Sequence, residues 1–288
     1  MVLMPTAMMM LALLAANATQ AVVVKPVANM YSQPTEDAEV VSQAIYGTTV
    51  GLLEEQSGWV KVRTADQYSG WVPVASLRRL GPGEQAYAAS VRVTQVESFF
   101  ANIYREPDAT KHQPLATVPF ETRLELMDVG DKGGSDKEGR WLKVHLPDDR
   151  VGWVQRGDVG FGSHPLGIGE TIAFSKRFLS LPYVWGGVST FGFDCSGFMQ
   201  MLGRRRGVVM PRDSSVQAKW TGSQPVDRSQ LKPGDLLYFG QSKVTHTGMY
   251  IGDGQFISAT THEHPEVQVS DIKDPYWSKL FISARRIE

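Results

Sequence analysis

A repeat in the first half of the chain does most to limit its architecture. Ala28-Asn29-Met30-Tyr31-Ser32-Gln33-Pro34 recurs as Ala101-Asn102-Ile103-Tyr104-Arg105-Glu106-Pro107. Gly58-Trp59-Val60-Lys61-Val62 then recurs as Arg140-Trp141-Leu142-Lys143-Val144, and Gly70-Trp71-Val72 as Gly152-Trp153-Val154. Self-similarity of this kind means one supersecondary unit made twice. Each copy alternates apolar and polar residues in short runs broken by turn residues, the pattern of strands buried on one face. Two small β-barrels are expected, over 19–80 and 88–160, with Gly81-Pro82-Gly83-Glu84 as the linker between them. Trp59 and Trp141, one in each copy, read as core residues rather than ligand platforms.

The remaining stretch, 165–288, holds the only cysteine, in Phe193-Asp194-Cys195-Ser196-Gly197-Phe198. A lone thiol makes no internal disulfide, so its chemistry is packing, metal binding or nucleophilic attack. Its flanks favour the nucleophile: Asp194 and Ser196 are polar, and glycines at 186, 187, 192 and 197 let backbone approach a substrate closely. The apolar run from Ser196 to Leu202 starts a buried helix with Cys195 in its first turn, where free amides and the dipole favour thiolate. Downstream, Val244-Thr245-His246-Thr247-Gly248-Met249-Tyr250-Ile251-Gly252 reads as a strand after a loop, and His246 is positioned to act as general base.

The blocks PYVWGG, FDCSGF, MPRDSSVQ, LKPGDLLYF and HTGMYIGDGQFI, in this order, closely resemble the NlpC-type cell-wall cysteine peptidases, which have a papain-like fold. The repeats ahead of them resemble bacterial SH3-like modules. The fold class implied is multidomain, two small all-β SH3-like barrels followed by an α+β papain-like cysteine peptidase domain. The resemblance makes Cys195 the nucleophile, His246 the base, and Tyr183, twelve positions before Cys195, an oxyanion donor beside the Cys195 amide.

The third catalytic position departs from the family pattern. Twelve residues after His246, where a histidine or another polar side chain commonly orients the base, this chain has Ser258. A hydroxyl accepts a hydrogen bond from imidazole but holds no charge against imidazolium. A weaker base follows, or a substitute from His262 or His264, whose stretch otherwise reads as a solvated loop. His262-Glu263-His264 lacks the HExxH spacing of a helical metal site, and no metal or cofactor is expected.

Relatives with this domain order cut between γ-D-glutamate and a diamino acid in peptidoglycan peptides, often requiring a free N-terminal L-alanine. An ammonium calls for carboxylates and hydroxyls in a closed pocket. The resemblance assigns substrate binding to Asp194, Ser196, Asp213, Ser214 and Trp185, with Arg212 beside Asp213 or a substrate carboxylate. It adds Tyr68 and the acidic Glu39 from the first module. Asp213 also reads as a helix N-cap. Muropeptides are the expected partners, with wall polymer a further possible ligand of the SH3-like modules.

A net charge of −1 gives no electrostatic case for nucleic acid or anionic membrane. Arg204-Arg205-Arg206 suits a helix C-terminus facing solvent. The apolar run Ala7 to Ala16 followed by Ala16-Asn17-Ala18 resembles a signal peptide over 1–18, too short for a permanent membrane span, so export to the periplasm or wall is expected. Two further function classes stay open: a papain-like acyltransferase or amidase on another amide or ester, and a catalytically weak wall-binding protein, the latter motivated by Ser258.

Overall fold

A computed structural model describes residues 19–89, 92–127, 139–162 and 164–287. The expected signal peptide, 1–18, lies outside these residues. Two compact units make up the chain. The first comprises residues to Glu39, Ala44–Ala65 and Ser69–Phe161; the second comprises Val40–Gln43, Asp66–Tyr68 and Gly162–Glu288.

The repeat in sequence is a repeat in topology. The first module has β1 (Gln20–Val23), β2 (Val27–Tyr31), β3 (Val40–Ile45), β4 (Thr49–Gln56), β5 (Trp59–Arg63), β6 (Ser69–Pro73) and β7 (Leu77–Arg79), in sheet order β3-β2-β6-β5-β4-β1-β7. The second has β8 (Val93–Val96), β9 (Phe100–Tyr104), β10 (Ala116–Pro119), β11 (Arg123–Leu126), β12 (Trp141–His145), β13 (Val151–Gln155) and β14 (Val159–Gly160). Its order, β10-β9-β13-β12-β11-β8-β14, is the same permutation shifted by seven strands. Strand patterning explains why: Val60 and Val62 in β5, and Leu142 and Val144 in β12, are fully buried on either side of the half-buried Lys61 and Lys143.

Side-chain packing repeats as well. Tyr31 meets Trp59 edge-on at 5.4 Å, and Tyr104 meets Trp141 edge-on at 5.4 Å. Lys61 lies 5.9 Å over Trp71 and Lys143 5.9 Å over Trp153. Trp141 is buried as expected, whereas Trp59 is half-buried, its edge-on contact with Tyr31 covering only part of the ring. Tyr46 of the first module is fully buried in the core of the second, among Ile103, Leu124 and Leu142.

In the second unit a two-stranded ladder, β15 (Val188–Ser189) with β16 (Gly192–Phe193), precedes the antiparallel sheet that carries the catalytic segment. Its strands are β17 (Gln224–Val226), β18 (Leu236–Phe239), β19 (His246–Gly252), β20 (Gln255–Thr260), β21 (Glu266–Asp271) and β22 (Phe281–Arg286), in order β17-β22-β18-β19-β20-β21. Among the described residues four α-helices accompany it: α1 (Ile168–Ser175), α2 (Cys195–Arg205), α3 (Ser214–Gln217) and α4 (Pro275–Leu280). Helix α2 packs on β19 and β20. A cluster of Phe178, Phe193 and Phe198, with ring centroids 5.5 to 6.0 Å apart, secures the start of α2. All three rings are essentially fully buried, and truncating any of them to alanine costs about 3–5 kcal/mol.

The arginine run departs from expectation. Only Arg204 is exposed; Arg205 packs over the Phe174 ring and Arg206 donates to the Ile287 carbonyl. Long arginine stems cover apolar surface at this helix end. Among the described residues no helix is long and apolar enough to cross a membrane.

Candidate active site

Helix α2 begins at Cys195 because Asp194 caps it. Asp194 has extended backbone, and its Oδ1 accepts the Gly197 N–H at 2.7 Å, satisfying one of the free amides of the first turn. The same carboxylate accepts the Gly186 N–H at 3.1 Å and both ends of the Arg212 guanidinium, at 3.1 Å and 2.5 Å. Arg212 Nη1 also donates to Ser196 Oγ at 2.8 Å, and Arg212 Nε donates to Ser42 Oγ at 3.0 Å. The Arg212 and Asp194 side chains are almost wholly enclosed. A buried two-pronged pair is fixed in geometry, and removing one partner leaves the other charge stranded.

Asp194, Ser196 and Arg212, expected to touch substrate, also bond to one another, which fixes the first turn of α2 around Cys195. The glycines also act differently from expectation, with backbone approaching backbone. A Cβ on Gly197 would sit 2.1 Å from the Gly187 carbonyl oxygen, and one on Gly187 2.3 Å from that of Gly192. The loop ahead of Cys195 can therefore lie against the first turn of α2.

The thiol does not favour the anion at rest. Burial pushes Cys195 up to about 12, with the Asp194 charge adding to the effect. The Thr247 N–H, the Arg212 charge and the Ser196 N–H oppose it. A helix N-terminus is worth at most ~2 kcal/mol, and desolvation of an enclosed thiol exceeds that. The expected thiolate is thus corrected to a protonated thiol.

The Thr247 N–H that bonds the thiol belongs to the residue after His246. His246 opens β19, its ring set between Phe239 at 5.9 Å and Trp277 at 4.8 Å. Burial drives its pKa down to about 3, with His262 contributing less. Its Nε2 lies 3.1 Å from Oγ of Ser258, which is fully buried on β20. The resting pair is therefore a neutral thiol and a neutral imidazole.

Tyr183 is half-buried, and its amide donates to the Pro265 carbonyl at 2.8 Å. Burial, with Cys195 second, holds its phenol above the usual range, so it remains an O–H donor. Tyr68 sits in the turn before β6, and its hydroxyl donates to Asp213 Oδ1 at 3.2 Å. Asp213 precedes α3 but makes no side-chain cap bond, so its carboxylate is not used as the expected helix cap. Burial raises its pKa, against the opposing pull of Arg212 and the Tyr68 hydrogen bond. Ser214 begins α3, and Trp185 is 61% exposed in the loop before Cys195. Glu39 is exposed and belongs to the first unit, where its carbonyl accepts the Ser32 N–H.

Several contributors had no role assigned from sequence. Gln43 Oε1 accepts the Val188 N–H at 3.1 Å, and Gln200 Nε2 donates to Asp66 at 2.8 Å and to the Met210 carbonyl at 2.8 Å. Gln217 Nε2 donates to the Pro211 carbonyl at 2.8 Å and to that of Ser196 at 3.3 Å. These are ordinary polar residues whose roles depend on tertiary placement. Only the nearness of Thr247 to His246 could have been read beforehand.

Residues 180–286 match the NlpC/P60 family, and residues 30–77 match the bacterial dipeptidyl-peptidase SH3 domain. The γ-D-glutamyl-L-lysine dipeptidyl-peptidase of Bacillus cereus (strain ATCC 10987 / NRS 248) is 31% identical over 269 residues, covering 88% of this chain and 76% of that protein. The chain belongs to the NlpC/P60 family. The γ-D-glutamyl-L-lysine dipeptidyl-peptidase of Bacillus subtilis (strain 168) is 29% identical over 87% of this chain and 82% of that protein. The crystal structure of an NlpC/P60 family protein from Bacillus cereus ATCC 10987 superposes with a TM-score of 0.80 at 26% identity, covering 93% of this chain and 99% of that one. As an NlpC/P60 member the chain is a cysteine peptidase, a hydrolase with an SH3-like all-β region ahead of its catalytic domain.

Proposed function

We propose that this NlpC/P60 peptidase hydrolyses the bond between γ-D-glutamate and a diamino acid in muropeptides with a free N-terminal L-alanine, outside the cytoplasm, in cell-wall turnover. The observation carrying this reading is the Tyr68–Asp213 hydrogen bond of 3.2 Å in the unit that holds Cys195. A half-buried carboxylate with a phenol on one oxygen keeps its other oxygen for a cation, and a peptide's α-ammonium is a cation of suitable size. Such a pocket accepts released fragments with free amines and excludes amine-blocked stems still joined to glycan. The names of the two relatives agree with this chemistry.

The neutral resting pair sets the order of events. The Cys195 thiol attacks the scissile carbonyl as His246 takes its proton, so charge separates only as the bond forms. With Nε2 engaged by Ser258, Nδ1 is the ring nitrogen left for this task. The developing oxyanion is met by the Cys195 amide and the Tyr183 hydroxyl, each donor worth about 2.7–4 kcal/mol. Imidazolium then protonates the leaving amine, and water attacks the thioester with His246 again as base. Ser258 keeps the ring oriented without a charge, consistent with a base that must return to neutrality.

Product mass spectrometry tests the reading. L-Ala-γ-D-Glu-diamino acid peptides should release L-Ala-D-Glu, and Cys195→Ala should release none. Release of any other fragment, or equal release by Cys195→Ala, would refute it.

A further inference from the structure

Trp277 of α4 holds a second histidine besides the base. His246 lies 4.8 Å from its ring, and His262 meets the same ring edge-on at 5.5 Å and 87°. His262 also lies flat on Tyr276, with centroids 3.8 Å apart and planes 4° from parallel. The loop bearing it is pinned on several sides. The His262 amide donates to Thr260 Oγ1 at 3.1 Å, and Gln268 Nε2 donates to the carbonyls of His262 and His264 at 2.5 and 3.1 Å. At its far end, Pro265 accepts the amide of Tyr183 at 2.8 Å. The loop therefore joins the wall that holds the base to the segment that carries the Tyr183 phenol.

This imidazole is oriented but chemically idle within the protein. Neither of its ring nitrogens hydrogen-bonds to a described residue, although the ring is half-buried and stacked. Side chains held in one orientation with donors turned outward suit a ligand. The base must protonate the leaving amine, so the leaving residue lies on the His246 side of the thiol, while Tyr68 and Asp213 serve the acyl side. His262 shares the Trp277 ring with His246, the residue that protonates that amine.

Building on the proposed γ-D-glutamyl-diamino acid reading, we infer that His262, held on Tyr276, binds a second carboxylate on the leaving diamino acid, so the site prefers meso-diaminopimelate to lysine there. An imidazole lying flat on a phenol keeps its ring N–H at the ring edge, where it donates to a carboxylate. A lysine side chain ends in an ammonium, which gains nothing from a donor. Among the described residues no carboxylate pairs with the His262 ring, so a substrate carboxylate meets no competitor.

The experiment compares kcat/KM for L-Ala-γ-D-Glu-meso-diaminopimelate and L-Ala-γ-D-Glu-L-Lys in wild type, His262→Phe and His262→Gln. Phenylalanine keeps the stack on Tyr276 and removes both ring nitrogens; glutamine returns a donor. The diaminopimelate-to-lysine ratio should favour diaminopimelate in wild type, drop about tenfold in His262→Phe through KM, and recover in part in His262→Gln. A wild-type preference for lysine, or a ratio that His262→Phe leaves within about twofold, overturns the inference alone. Cleavage of neither peptide by wild type overturns the γ-D-glutamyl reading and this inference with it.

Discussion

The turn Asp66–Tyr68 of the first module and the turn Asp148–Arg150 of the second are built alike and used differently. Each begins with an aspartate whose Oδ1 accepts the amide two residues on, at 3.4 Å for Tyr68 and 3.3 Å for Arg150. Each places its middle residue in the left-handed region, Gln67 at φ 67° and Asp149 at φ 66°. They diverge at the third position. Arg150 folds back on Asp148 at 2.7 Å, closing its turn on itself, whereas Tyr68 reaches Asp213 in the catalytic unit. Duplication supplied the same backbone twice, and one side chain decides whether the turn serves itself or the active site. The second module lies wholly in the first unit, while Val40–Gln43 and Asp66–Tyr68 of the first module belong with the peptidase.

Two arginine pairs carry the comparison into energetics and give its largest expected effect. Arg212→Met should lower stability by about 3–5 kcal/mol in urea unfolding, because Asp194 is left charged and enclosed. Arg150→Met, at an exposed pair, should cost no more than about 1 kcal/mol. Equal losses would mean that the Arg212 pair is no more enclosed than the surface one. Exchanging the turns' third residues comes next: Tyr68→Arg should cut kcat/KM on free-amine peptides roughly 100-fold through repulsion of the ammonium. The reciprocal Arg150→Tyr should change it less than about twofold, and a comparable loss there would erase the distinction between the turns.

Titration sharpens the contrast further. Asp213 has a raised carboxyl pKa, so the folded chain binds that proton more tightly than the unfolded chain. Ionised Asp213 therefore lowers stability above its raised pKa, and the cost vanishes below the ordinary carboxylate range. Asp213→Asn should stabilise the chain at neutral pH and not in acid, while raising KM for free-amine peptides. A stability gain that persists in acid would contradict this linkage. His246, pushed down to about 3, stays neutral through the ordinary histidine range, so a pH–rate profile should show no loss of kcat/KM near pH ~6.5.

Fold and site were legible to different depths. The repeat and its alternating strands announced both modules, because half-buried strands must alternate and the motif recurs in order. Cys195 and His246, the proposed nucleophile and base, stood in blocks whose order is specific, and Ser258, twelve residues on, lies within hydrogen-bond reach of the His246 ring. The ionisation of Cys195 was not legible, because a dipole is visible in sequence while enclosure is a property of the folded chain. The Arg212–Asp194 pair was hidden for a related reason. Only tertiary placement brings these two side chains together. Ser42, Gln43 and Asp66 lie more than a hundred residues from their partners in the peptidase segment.

The most direct test of the account is the ratio of kcat/KM for L-Ala-γ-D-Glu-meso-diaminopimelate to that for its N-acetylated form, measured in wild type and Tyr68→Phe. The account predicts cleavage of the free-amine peptide alone by wild type, and a roughly tenfold rise in KM for that peptide when the Tyr68 hydroxyl is removed. Equal cleavage of both peptides by wild type, with no effect of Tyr68→Phe, would contradict the claim that Tyr68 and Asp213 read the amine.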